Sequence, residues 1–144
     1  MCLGCLRFLK LNDNEATVRV LKEAVLSFVQ ERRWERFHNP KDLAESICIE
    51  ASELLELFQW RTAKEVRLLS KDLNIERISS ELADVVIYCL AFANILQIDM
   101  ADSVFEKLRE NARRYPKSKY VGIAPYHLPP TAEKPKAKSG IFRS

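Results

Sequence analysis

Glycine is nearly absent from this chain. The 144 residues hold three, Gly4, Gly122 and Gly140, and none stands between residues 5 and 121. A phosphate-cradling loop of the P-loop or Rossmann kind needs several glycines at fixed spacing, so both are excluded from that stretch. No run of about 18 apolar residues occurs, so no segment reads as a membrane span. The opening MCLGCLRFLK is apolar in flavour, but it is too short for a signal-peptide core and no small-residue cleavage site follows it. A cytoplasmic protein is expected. Cysteine is sparse as well. Cys2 and Cys5 form one C-x-x-C pair, with no second pair to complete a four-ligand zinc site. Cys48 and Cys89 fall in apolar helical segments and are expected to be small buried hydrophobes.

What the chain does have is Leu, Ala, Glu, Lys and Arg, with apolar residues recurring three and four apart. That is the helical period. At 47% hydrophobic residues there is enough apolar side chain for one core. The net charge of +3 conceals an asymmetry. Residues 116–144 carry Lys117, Lys119, Lys134, Lys136, Lys138 and Arg143 against Glu133, which leaves the body slightly acidic. A nucleic-acid-binding face on the folded part is not expected, and the tail reads as a solvated end. Three segments follow: an N-terminal segment (1–14), an all-α domain (15–116) and a basic Pro/Lys-rich tail (117–144), extended or disordered.

Four main helices are predicted, about Glu15–Arg36, Pro40–Trp60, Asn74–Gln97 and a last one capped by Asp99 and ended near Arg114 by Pro116. Asn39 followed by Pro40 is a cap with proline at the first helical position. A short helix, Ala63–Ser70, is expected after Thr62. Short links between long amphipathic helices imply an antiparallel four-helix bundle. So many apolar helix positions for the size suggest that one face is buried in a homo-oligomer.

Two of these helices carry an acidic pair on the wrong side. At about 100° per residue, Glu50 falls inside the apolar stripe of Ile47, Leu54, Leu57 and Phe58, with Glu53 at its edge. Glu81 likewise falls within the stripe of Ile78, Val85, Tyr88, Cys89 and Phe92, with Asp84 at its edge. Two like charges about 5 Å apart repel by roughly 3 kcal/mol at an effective dielectric of 20. Four carboxylates leaning into one core therefore need protons, basic partners or a cation. All-oxygen ligands suit a hard cation, Mg²⁺ or Mn²⁺, which commonly serves phosphate chemistry. The plainer alternative is boundary acids paired with Arg or Lys.

Further motifs keep a fixed order around these acids. They are Arg33-Trp34-Glu35-Arg36-Phe37-His38-Asn39-Pro40, Glu56-Leu57-Phe58-Gln59-Trp60, Asp84-Val85-Val86-Ile87-Tyr88 and Asn111-Ala112-Arg113-Arg114-Tyr115-Pro116. Together with Glu50-x-x-Glu53 and Glu81-x-x-Asp84, they resemble the MazG-type all-α nucleoside triphosphate pyrophosphohydrolases, specifically the dCTP pyrophosphatase branch. The resemblance runs over about residues 17–120. It implies a four-helix fold assembled as a dimer or dimer of dimers, and Mg²⁺ at Glu50, Glu53, Glu81 and Asp84. It also implies release of pyrophosphate from dCTP or a modified dCTP, in housekeeping of the nucleotide pool. By the same resemblance, Trp34, His38, Trp60 and Tyr88 surround base and sugar, and Lys107, Asn111 and Arg114 approach the substrate or its phosphates. Each has a plainer reading: core packing for the aromatics, a structural turn histidine for His38, a solvated helix end for the cations. Glu50 and Glu53 are the expected catalytic acids, with Glu53 as general base from its edge position. Two rivals stand beside this reading. One is a relative that hydrolyses a dUTP-type or phosphoribosyl nucleotide, and the other is a non-catalytic helical interaction module.

Overall fold

The structure is a computed structural model, and it describes residues 11–68 and 74–122. All regular structure among these residues is helical: α1 (Val18–Glu31), a 3-10 turn (Glu35–Phe37), α2 (Pro40–Glu56), α3 (Ala63–Leu68), α4 (Ile75–Ile95), α5 (Met100–Arg114) and α6 (Lys117–Tyr120). The all-α fold expected from the sequence is the observed one. The chain divides into two compact units, Met1–Met100 and Ala101–Ser144.

In the first unit α4 is the axis, packing along α2 and along α1. The last turn of α2 (Glu56, Leu57) and the first of α4 (Arg77, Ile78) line one small pocket, so these helices run antiparallel. At the other end of α4, the Lys22 ammonium donates to the Ile98 carbonyl (2.6 Å) and the Asn94 amide donates to the Lys22 carbonyl (2.9 Å). This reciprocal pair fastens the start of α1 to the end of α4, again antiparallel. Among the described residues, the buried apolar side chains are Val29, Leu43, Leu90, Ala91 and Ala93. Leu21, Phe28, Leu82, Val86 and Ile87 stay more than two-fifths exposed. Cys48 is exposed and Cys89 half-buried, so the expectation of a buried hydrophobe fails for Cys48, which stands beside exposed Ile49.

Local chemistry explains where the helices start. The Asn39 side chain accepts from Asp42 N at 3.0 Å, and Pro40 opens α2. Thr62 and Glu65 cap α3 reciprocally, and Asn74 accepts from Arg77 N. α1 is capped by Thr17, later than the Asn12–Asn14 run, which forms a turn of its own. The last long helix ends at Arg114 as predicted, and the other three ends fall earlier. α1 stops at Glu31, and Arg33 then takes φ 53°. α2 stops at Glu56, before Trp60 at φ 68°. The 21-residue α4 is long and apolar enough to cross a membrane by length and composition. Glu81 and Asp84 at its middle, and α1 and α2 along its sides, make it a bundle helix instead.

The second unit holds α5 from Ala101 onward and the short α6. Pro116, at ψ 139°, separates the two helices, and the Tyr115 and Tyr120 rings meet edge-on at 5.3 Å. The start of the predicted tail, Lys117–Tyr120, is thus a helical turn. Residues 123–144, where the rest of that prediction falls, lie outside the described residues, as do Cys2 and Cys5.

Candidate metal centre and cavity

Glu50 and Glu53 stand three residues apart on α2, and Glu81 faces them from α4. One carboxylate oxygen from each lies within 4.8 Å of the other two. Oxygens on opposite sides of a single Mg²⁺ are about 4.2 Å apart, so small side-chain rotations suffice for the three to share one ion. Burial raises the Glu50 pKa above its ordinary value, and the charges of Glu53, Asp84 and Glu81 raise it further. Among the described residues, the one ion pair reaching any of these acids is Arg77 Nε to Glu81 Oε1, at 4.0 Å and exposed on the Arg77 side. At that length the contact offsets little of the repulsion. The donor set is carboxylate only, which fits a hard divalent cation.

Asp84, one turn on from Glu81, belongs to the same charge cluster: its charge acts on Glu50 more strongly than that of Glu81. Asp84 also lines a cavity of about 710 Å³ between α1 and α4. Trp34, His38 and Tyr88 line the same cavity. The volume is in the range of small-molecule sites. The break in α1 puts Trp34 and His38 there. At Arg33 the backbone turns left-handed, and the Arg32 guanidinium lies 3.6 Å over the Phe28 ring. Trp34 meets Phe28 edge-on at 5.8 Å. The 3-10 turn then carries the chain to His38, immediately before the Asn39 cap. Asp84 therefore links two features, a cluster of acids and an aromatic-walled cavity, one helical turn apart along α4.

The other expected residues are placed differently. Trp60 is 93% exposed and does not line the cavity. Lys107, Asn111 and Arg114 belong to α5 in the second unit. There Lys107 pairs with Glu110 at 2.9 Å, Asn111 is half-buried, and the Arg114 guanidinium lies 5.5 Å from the Tyr115 ring centre. Sequence reasoning missed Ser79 and Ala83, small residues one turn apart that form part of the cavity wall. Their i, i+4 spacing on α4 was the available signal. It also passed over Arg77, four residues before Glu81.

The MazG-like family matches residues 45–124, more than half the chain, and the match takes in all four acids. This chain belongs to the MazG-like family. Human dCTP pyrophosphatase 1 is 36% identical to it over 103 residues, covering 71% of this chain and 61% of the human protein. The cattle protein of the same name is 34% identical over 105 residues, covering 72% and 62%. The MazG-like chain thus spans about three-fifths of the length of the curated relatives it matches. A pyrophosphatase from Archaeoglobus fulgidus, known from its crystal structure, superimposes with a TM-score of 0.64 at 35% identity. That likeness covers 75% of this chain and the whole of the archaeal one. Trp34 and His38 precede the family match, so their place in the cavity is an independent observation.

Proposed function

We propose that this MazG-like chain is a Mg²⁺-dependent pyrophosphohydrolase that converts a nucleoside triphosphate, dCTP or a modified dCTP, to the monophosphate and pyrophosphate in a cytoplasmic nucleotide pool. The observation that carries the proposal is the junction at Asp84, where three convergent carboxylates adjoin a cavity walled by Trp34, His38 and Tyr88. Relatives named for dCTP pyrophosphatase and a pyrophosphatase of matching fold support the same reading.

Glu50, Glu53, Glu81 and Asp84 would hold the ion. A Mg²⁺ or Mn²⁺ there supplies positive charge against the triphosphate and makes water more acidic. The chain's own groups divide the remaining work. Trp34 and Tyr88 offer ring faces to the base, and His38 offers a hydrogen bond to base or sugar. Glu53, the exposed member of the trio, is open to solvent and takes a proton from the attacking water. The water oxygen bonds to phosphorus in line with the departing oxygen, that P–O bond breaks, and pyrophosphate leaves with the electron pair. The sparse core and the exposed apolar side chains of α1 and α4 support assembly into a homo-oligomer.

The test is pyrophosphate release from dCTP, 5-methyl-dCTP, dUTP, dTTP and dATP, with Mg²⁺ and with chelator. The expected result is Mg²⁺-dependent release led by the cytosine nucleotides. No release from any of the five would refute the proposal, and release led by dUTP would move it to the dUTP-type relatives.

A further inference from the structure

One polar pocket remains outside the site described so far. It has a volume of about 330 Å³ and lies where the end of α2 meets the start of α4, lined by Arg61, Arg77, Asn74 and Gln59 among others. Glu56 is the one carboxylate in its lining, against two guanidinium groups. Among the described residues, Arg61 makes no close ion pair, its charge acting on nearby Glu65 from a distance, and Arg77 makes only the long contact to Glu81. Asn74 accepts from Arg77 N through its side-chain oxygen, which leaves its amide N–H groups as donors. Two guanidiniums facing a pocket in excess of its carboxylates are chemistry for phosphate oxygens, which arginine takes in bidentate fashion.

The position of the pocket gives that chemistry a direction. Arg77, Glu81, Asp84 and Tyr88 follow one another at i, i+4, i+7 and i+11, on one face of α4. They span roughly 16 Å at 1.5 Å per residue. Along that face stand a cation, two acids and an aromatic ring. A nucleoside triphosphate has the complementary sequence of parts, namely terminal phosphates, the phosphates that share the ion, and the nucleoside. We infer that Arg61 and Arg77 bind the terminal phosphates of the substrate and retain them as the departing pyrophosphate, which sets the nucleotide along α4 with its base toward Tyr88. This deepens the proposed function and rests on it for the identity of the substrate. The pocket itself is a claim about pyrophosphate, which can be tested without turnover.

The experiment is titration calorimetry of inorganic pyrophosphate, in the presence of Mg²⁺, into the full chain and into Arg61→Gln, Arg77→Gln and Arg61→Lys. KM and kcat for dCTP are measured alongside. Each glutamine variant is expected to weaken pyrophosphate binding and raise KM about tenfold, equivalent to about 1.4 kcal/mol. Affinity for dCMP should stay within twofold, and Arg61→Lys should recover part of the loss. Arg61 touches none of the acids, so Arg61→Gln should also leave Mg²⁺ affinity unchanged. Pyrophosphate affinity within twofold of wild type in both glutamine variants overturns the inference. So does a wild-type chain that does not bind pyrophosphate, or an equal loss of dCMP binding. A chain that turns over no nucleotide yet binds pyrophosphate through these arginines would sink the enzymatic reading and leave the pocket standing.

Discussion

Glu50 on α2 and Glu81 on α4 bring carboxylate oxygens within 4.8 Å of each other across the helix pair, with Glu53 completing the triangle. Nothing in simple bundle packing calls for this. Hydrophobic side chains of similar volume would hold the two helices together without the repulsion, and the proposed metal site accounts for the acids instead.

The first consequence is a trade of stability against activity. Glu50→Gln removes a charge that burial and three neighbouring carboxylates disfavour. The metal-free variant should melt higher than wild type. Pyrophosphate release should fall at least a hundredfold, because a catalytic ion contributes several kcal/mol and each 1.36 kcal/mol is a factor of ten. Thermal melts and a phosphate-coupled assay on the same preparations check both.

The pH dependence has a definite sign. The folded-state pKa of Glu50 lies above its ordinary value of 4.5, so within that window the native chain binds more protons than the unfolded one. Stability from this group is therefore lost as pH rises through the window and regained as pH falls. The Tm advantage of Glu50→Gln over wild type should be small at pH 4.5 and grow toward neutrality. An advantage independent of pH would show that the acid cluster is not the cause.

Divalent ions should reverse that penalty. Mg²⁺ at about a hundred times its dissociation constant stabilises a chain that binds only when folded by about 2.7 kcal/mol. The gain in Tm should be larger at pH 7.5 than at pH 5, because the ligands must be deprotonated. It should shrink or vanish in Glu53→Gln and Asp84→Asn, both of which should keep their helical circular dichroism while losing turnover.

The cavity aromatics and Trp60 should behave differently. Tyr88→Ala and Trp34→Ala should each raise KM roughly five- to a hundredfold, the effect of about 1–3 kcal/mol of base stacking. Tyr88→Phe, which keeps the ring, should stay near wild type. Trp60→Ala should leave stability within about 0.5 kcal/mol, since the side chain is 93% exposed. Steady-state kinetics and melting curves separate the two groups.

A cap remote from the chemistry supplies a control. Thr17 holds the start of α1 through Val20 N, and Thr17→Ala should cost about 1 kcal/mol, or about 4 °C in Tm. Turnover per folded molecule should be unchanged at 20 °C.

The helices, their starts and the acidic pairs were legible in the sequence because each has a local signature. The 3.6-residue period was there to read, as were Asn39-Pro40, Thr62 with Glu65, and Asn74. The wheel also separated half-buried Glu50 and Glu81 from exposed Glu53, but it set Asp84 at the edge, where the structure has it half-buried. The helix end at Arg114 was legible from Pro116; the other three ends were not, for one physical reason. Three helices were predicted to run on to Arg36, Trp60 and Gln97. They stop short at Glu31, Glu56 and Ile95, and Arg33, Trp60 and Gln97 adopt positive φ just beyond. Glycine usually marks such positions, and this chain places arginine, tryptophan and glutamine there instead. The cavity beside Asp84 was equally hidden. It depends on the wall that α1 provides, which periodicity does not encode.

The reciprocal bonds between Lys22 and the Asn94–Ile98 stretch act as a latch on one end of α4. They fix its axial register against α1, while packing along α2 holds the turns that carry Glu81 and Asp84. A slip of one residue would turn Tyr88 out of the cavity wall and Glu81 away from Glu50 together, so cavity and acid cluster share one alignment.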